Sequence, residues 1–162
     1  MNQIFQAPAT AAECAGQEAS LVLDHLTAAD AMSIGQSILE LAPILVPGRP
    51  VAIHLETDDH PLFVYFMDGT GAENANWIIK KKNVARKFSH SSWAVRLEFL
   101  ERNADFQAET GLDPDLFRAE GGAVPLVVRG KGRVGTLIVS GLAGWEDHVL
   151  AVAGLERWMS KA

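Results

Sequence analysis

Polar and apolar positions along the chain change period several times, and each change marks an element. Thr27 followed by Asp30 reads as a capping box, with Leu26 just before it. Met32, Ile34, Ile38, Leu41, Ala42 and Leu45 then recur at helical spacing until Pro43 limits the helix. Val51–Glu56 alternates, with Val51, Ile53 and Leu55 on one face. Leu62–Met67 is apolar on both faces, and Asp58–Pro61 between them predicts an antiparallel hairpin. From about 72 to 103 the pattern is helical again, with Trp77, Val84, Phe88, Val95 and Phe99 on one stripe. Asp113-Pro114 predicts the start of a short helix to about Ala119, stopped by Gly121-Gly122. Val124–Arg129 and Val134–Ser140, joined by Gly130-Lys-Gly132, predict a second hairpin. Trp145, Val149, Val152 and Met159 mark a last helix.

The order is helix, hairpin, long helix, hairpin, helix. Hairpins require antiparallel pairing, and strands apolar on both faces require cover on both sides. The expectation is therefore an α+β chain: a helix–sheet–helix sandwich with a mostly antiparallel sheet, as one domain over 21–162. Residues 1–20 are read as an arm or a weak helix ahead of it.

Charge changes this picture in one place. The formal net charge of the 162 residues is −6, which disfavours nucleic acid and anionic membranes as partners. Between 80 and 102, however, seven lysines and arginines face only Glu98 and Glu101, so the rest of the chain is strongly acidic. The single cysteine, Cys14, excludes an internal disulfide framework and a cysteine-based zinc site. No apolar run approaches the roughly 20 residues that span a bilayer. With no signal peptide pattern either, the simplest expectation is a reducing cytoplasm.

Four groups of residues could carry chemistry. His54, Glu56 and His60 flank the first hairpin as a weak metal-site candidate, whose bland alternative is a polar strand face. His90-Ser91-Ser92 lacks the strand-to-helix elbow of a serine nucleophile and reads better as serines that allow close packing or break the helix locally. Glu146-Asp147-His148 opens the last helix, where the dipole favours carboxylates and disfavours a protonated imidazole. Asp147 and His148 are thus the best catalytic candidates. Lys82 and Arg86, four residues apart, suit one phosphate or carboxylate, and Trp77 nearby could stack on a planar ligand.

Gly121–Val128, Val134–Leu142 and Glu146-Asp-His148 together resemble the C-terminal signature of the heme-degrading domain family of GlcG-like and HbpS-like proteins. Trp77–Val84 and Phe88–Ser92 resemble its UPF0303 branch, and the resemblance covers roughly 25–160. It implies a profilin-like fold with a five-stranded sheet, whose fifth strand would lie at Leu21–Leu23. It implies a site grouping Trp77, Lys82, Asn83, Ser91 and Ser92 with Ser140, Gly141, Asp147 and His148. Heme or another tetrapyrrole is the implied cofactor, and a homo-oligomer the implied state, with Trp93 and Trp158 as subunit contacts. Three functions stay open: a small-ligand binder, a non-enzymatic scaffold, or an enzyme whose anionic metabolite is held by Lys82 and Arg86.

Overall fold

The computed structural model describes residues 5–161. The elements in order are α1 (Ala11–Ser20), β1 (Val22–Leu23), α2 (Ala28–Leu45), β2 (Ala52–Thr57), β3 (Pro61–Phe66), α3 (Ala72–Phe88), α4 (Ser92–Glu101), α5 (Phe106–Thr110), β4 (Ala123–Val128), β5 (Gly132–Ser140) and α6 (Gly144–Lys161). One five-stranded sheet runs β1-β4-β5-β2-β3. Only β1, the strand expected at Leu21–Leu23, pairs in parallel, against β4; the other pairs are antiparallel. The α+β sandwich with a five-stranded, mostly antiparallel sheet is thus the observed fold.

Alternation along the strands sends side chains to two cores. Ile53, Leu55, Leu126, Leu137 and Val139 pack with Ile34 and Ile38 of α2 and Leu150 and Leu155 of α6. Ala52, Ala123 and Ile138, on the other face, pack with Ile78 and Ala85 of α3. A third cluster holds Val84, Val95, Phe99 and Phe106 around Phe88. The expected stripe therefore forms, apart from Trp77, although the helix carrying it is broken. Gly154 of α6 lies so close to Ile38 that a methyl group there would overlap its side chain.

Three expectations are corrected. Pro43 does not limit α2, which continues to Leu45; the Val46 amide still reaches the Ala42 carbonyl at 2.8 Å. The long helix divides at Ser89, which turns left-handed at φ 57°, and Ser91 restarts the chain as N-cap of α4, accepting from the Ala94 amide at 3.1 Å. Asp113 makes only one turn, accepting from the amides of Leu116 and Phe117, because Leu112 and Phe117 are drawn onto the third cluster. The short helix is instead α5, capped by Asp105.

Candidate functional site

A cleft of about 450 Å³ opens between the first half of α3, the chain before β4 and the β5–α6 corner. Trp77, Lys81, Glu120, Ser140, Leu142 and Asp147 are among its walls. Asn74, Trp77 and Lys81 reach it together because they follow one another at three and four residues along α3. The Asn74 amide group donates to the Ser140 carbonyl at 3.3 Å, tying helix to corner.

At the base, Lys81 Nζ donates to Asp147 Oδ2 at 2.6 Å and to the Val139 carbonyl at 3.2 Å. The two side chains are 4% and 1% exposed. Burial pushes the Asp147 carboxyl up to about 6, against the opposing pull of Lys81 and the Leu142 and Gly141 amides. Two glycines make the approach possible. A Cβ on Gly121 would overlap the Gly144 carbonyl. One on Gly122, at φ 131°, would overlap the Val139 carbonyl and come 2.9 Å from Lys81 Nζ.

The start of α6 is closed by its own acids. Glu146 accepts from the Ala143 amide at 3.3 Å and holds Arg49 through two bonds of 2.6 and 2.8 Å. Asp147 Oδ1 accepts from the Leu142 amide at 3.0 Å. The Glu146 and Asp147 carboxylates in the first turn already occupy the positive end of the helix dipole, which disfavours an incoming anion.

His148, one residue on, points the other way. It is fully buried, with Nε2 2.7 Å from Gln17 Oε1 of α1 and its ring 6.4 Å from that of Trp93. Among the described residues its Nδ1 has no hydrogen-bond partner. Burial pushes its pKa down to about 4, so the ring is neutral, as expected, but it lies outside the cleft walls.

Of the other residues singled out, Trp77, Ser140 and Gly141 line the cleft, while Lys82, Asn83, Arg86, Ser91 and Ser92 do not. Lys82 donates to Glu56 at 3.3 Å, and Arg86 lies 3.8 Å from Glu56 and 3.7 Å from Asp58. The expected anion pair thus turns to the chain's own acids, although Asp58 is itself held by Arg133 through two bonds of 2.7 and 3.0 Å. Asn83 donates to the Leu116 carbonyl at 2.9 Å. The Ser92 hydroxyl accepts from the Ala123 amide at 3.0 Å, so the serines position α4 and β4. His54 and Glu56 bond to each other at 2.8 Å, but His60 stays exposed. Among the described residues no group of three His, Cys, Asp or Glu could hold a metal ion. Trp93 donates to the Pro8 carbonyl at 2.9 Å and Trp158 packs on the main core, so both engage their own chain. Lys81 was missed among three consecutive lysines; its spacing of four from Trp77 was the available signal.

The comparisons with known proteins agree with this architecture. The family model described as "Haem degrading protein HbpS-like" matches residues 26–156. The chain belongs to this family. It is 38% identical over 154 residues to a UPF0303 protein of Streptomyces avermitilis, covering 95% of this chain and 93% of that one. A UPF0303 protein of Burkholderia thailandensis is 39% identical over 139 residues, with 86% and 83% covered. Among solved structures, the Ybr137w protein superposes with a TM-score of 0.84 at 28% identity, covering 93% of this chain and 88% of that chain. HbpS gives 0.64 at 20%, with 82% and 89% covered. A PduOC–heme complex gives 0.67 at 18%, with 81% and 93% covered; at these identities the last two share the fold.

Heme iron takes its axial ligand from His, Cys, Met or Tyr. Among the described residues none of these lines the cleft. Among the described residues the only buried imidazole, His148, is bonded to Gln17, and Glu73 on the wall would repel a porphyrin's carboxylates. The cleft does not fit an iron porphyrin ligated from its walls. Cys14 offers no nucleophile either, since burial pushes its thiol up to about 12. What the site can do is exchange hydrogen bonds or a proton with the Lys81–Asp147 pair and pack a planar group against Trp77, over whose ring Lys80 Nζ already sits at 5.0 Å.

Proposed function

We propose that this protein binds a small planar molecule in the α3–α6 cleft and works as a homo-oligomer in the cytoplasm. The observation that carries the ligand reading is the buried Lys81–Asp147 pair set into the wall of a 450 Å³ cleft beside Trp77. Ligand pockets commonly measure roughly 300–1,000 Å³ and use a few placed polar groups for orientation. Of the wall carboxylates, Asp147 is paired with Lys81 at 2.6 Å and Glu120 with Arg96 at 2.8 Å, Glu73 adds one more, and Lys80 Nζ lies 5.0 Å over the Trp77 ring, so the charges of the cleft nearly balance. Its ligand class is therefore a neutral heteroaromatic, in place of the anionic metabolite expected from Lys82 and Arg86. Self-association is supported by the consecutive exposed apolar residues Val64, Tyr65 and Phe66. Among the described residues no helix is long and apolar enough to cross a membrane.

The test is a thermal-shift screen of amino-substituted heteroaromatics against aromatic carboxylates and phosphates. The expected result is stabilisation by members of the first group, lost in Trp77→Ala while the unliganded melting temperature stays close to that of the wild type. Stabilisation by the anions alone, or by nothing in either group, overturns the ligand reading; the latter favours a scaffold.

A further inference from the structure

We propose that β3 is one half of a two-fold interface, pairing antiparallel with β3 of a second copy of this chain about an axis at Tyr65. The proposal rests on the self-association reading and adds the surface. β3 is an edge strand, bonded only to β2. The Met67 amide donates to the Val51 carbonyl, so by antiparallel alternation Tyr65 and Phe63 also turn their backbone groups to β2. The amides and carbonyls of Val64 and Phe66 then face outward without a strand to meet. Edges of this kind are ordinarily guarded by lysine, proline or an inward charge. Here Phe63–Met67 contains none of these, and the strand's only proline, Pro61, is its first residue.

The exposed side chains follow the same edge. Val64 is 49% exposed, Tyr65 48% and Phe66 38%. Val64 and Phe66 lie opposite His54 and Ala52 and so share the α3 side of the sheet, whereas Tyr65 lies opposite Ile53 on the α2 side. On the α3 side, Lys82 reaches as far as Glu56 of β2, and Ile79, 40% exposed, lies one helical turn before Lys82.

A second copy is the occupant because the strand is complementary to itself. Rotation about Tyr65 sets Val64 opposite Phe66 of the second copy, and Phe66 opposite its Val64. Both are hydrogen-bonded pairs, and together they use all four free backbone groups of the edge. The same operation sets Phe63 opposite Met67 and Tyr65 opposite Tyr65, with no charge facing a like charge. Cross-strand apolar pairs on one face are the unit of sheet stabilisation. One operation thus covers the exposed side chains of Val64, Tyr65 and Phe66 and continues the sheet across the axis.

Tyr65 would sit in a non-hydrogen-bonded pair on the axis, where Cα atoms are about 4.5 Å apart, within the range of about 4.4–6.8 Å that a disulfide spans. Cys14 is fully buried and does not compete. Tyr65→Cys is therefore expected to give a covalent dimer on mild oxidation, whereas Ile44→Cys, at a position 68% exposed on α2, is not. Val64→Lys, a guard placed on the edge, is expected to lower the mass seen by light scattering below that of the wild type. A wild-type mass of 17.5 kDa at micromolar concentration overturns both the interface and self-association. An oligomeric wild type in which Tyr65→Cys fails to cross-link and Val64→Lys keeps its mass overturns this interface and leaves self-association standing. If Val64→Lys does not fold, the cysteine pair decides alone.

Discussion

Asp147 and His148 are neighbours on one helix, yet the turn of about 100° between successive residues sends one into the cleft and the other beneath α1. Burial acts on them in opposite senses, raising the carboxyl and lowering the imidazole. The folded pKa of His148 lies near 4, below the ordinary 6.5. Its contribution to stability is therefore complete above 6.5 and is lost as pH falls toward 4. The Asp147 carboxyl, raised to about 6 from 3.8, favours the folded state most below 3.8, and that contribution is lost as pH rises through 6. The two slopes oppose each other. In urea titrations at pH 7 and pH 4, His148→Gln is expected to lose less stability on acidification than the wild type, by up to roughly 3 kcal/mol. An equal loss in both proteins counts against a neutral, buried His148. Asp147→Asn leaves the Lys81 ammonium buried without its counter-charge, which typically costs about 3–5 kcal/mol. Replacing both partners with apolar residues is expected to recover much of that loss in the same assay.

At the scale of elements, local chemistry was readable wherever a side chain bonds its own backbone neighbours. Thr27 and Asp30 form the expected capping box. The positive φ of Gly130 and Gly132 closes the expected hairpin. The division between α3 and α4 was less legible: His90-Ser-Ser92 suggested a helix break, but the unbroken stripe of Val84, Phe88, Val95 and Phe99 outweighed it. The stripe survives the break because both helices pack around the same aromatic cluster. Ser91→Ala removes the cap of α4 and is expected to cost about 1 kcal/mol, read as a lower urea midpoint with an unchanged slope. Gly122→Ala sets a Cβ at φ 131° against the Val139 carbonyl and Lys81. Strain of this kind costs about 1–3 kcal/mol. It is expected to lower stability and to displace the Lys81–Asp147 pair, seen as weakened heteroaromatic binding.

Across the whole molecule, the ligand reading and the family resemblance lead to different spectra. Because among the described residues no imidazole, thiol, thioether or phenol lines the cleft, hemin added to the purified protein is expected to keep the broad Soret band of the free compound. A sharp, shifted band would place an iron ligand outside the cleft walls, and its loss in His148→Ala would assign that ligand to His148. The sequence by itself determined the periods, the caps and the hairpins, and through its ordered motifs the family, because each depends on residues close together in the chain. Only the tertiary structure decided which lysine of three reaches Asp147, that Lys82 and Arg86 turn to Glu56 and Asp58, and that His148 faces Gln17. Those outcomes are set by which faces of α3 and α6 meet across the sheet, by contacts spanning 26 to 131 positions. No local pattern of polar and apolar residues encodes them.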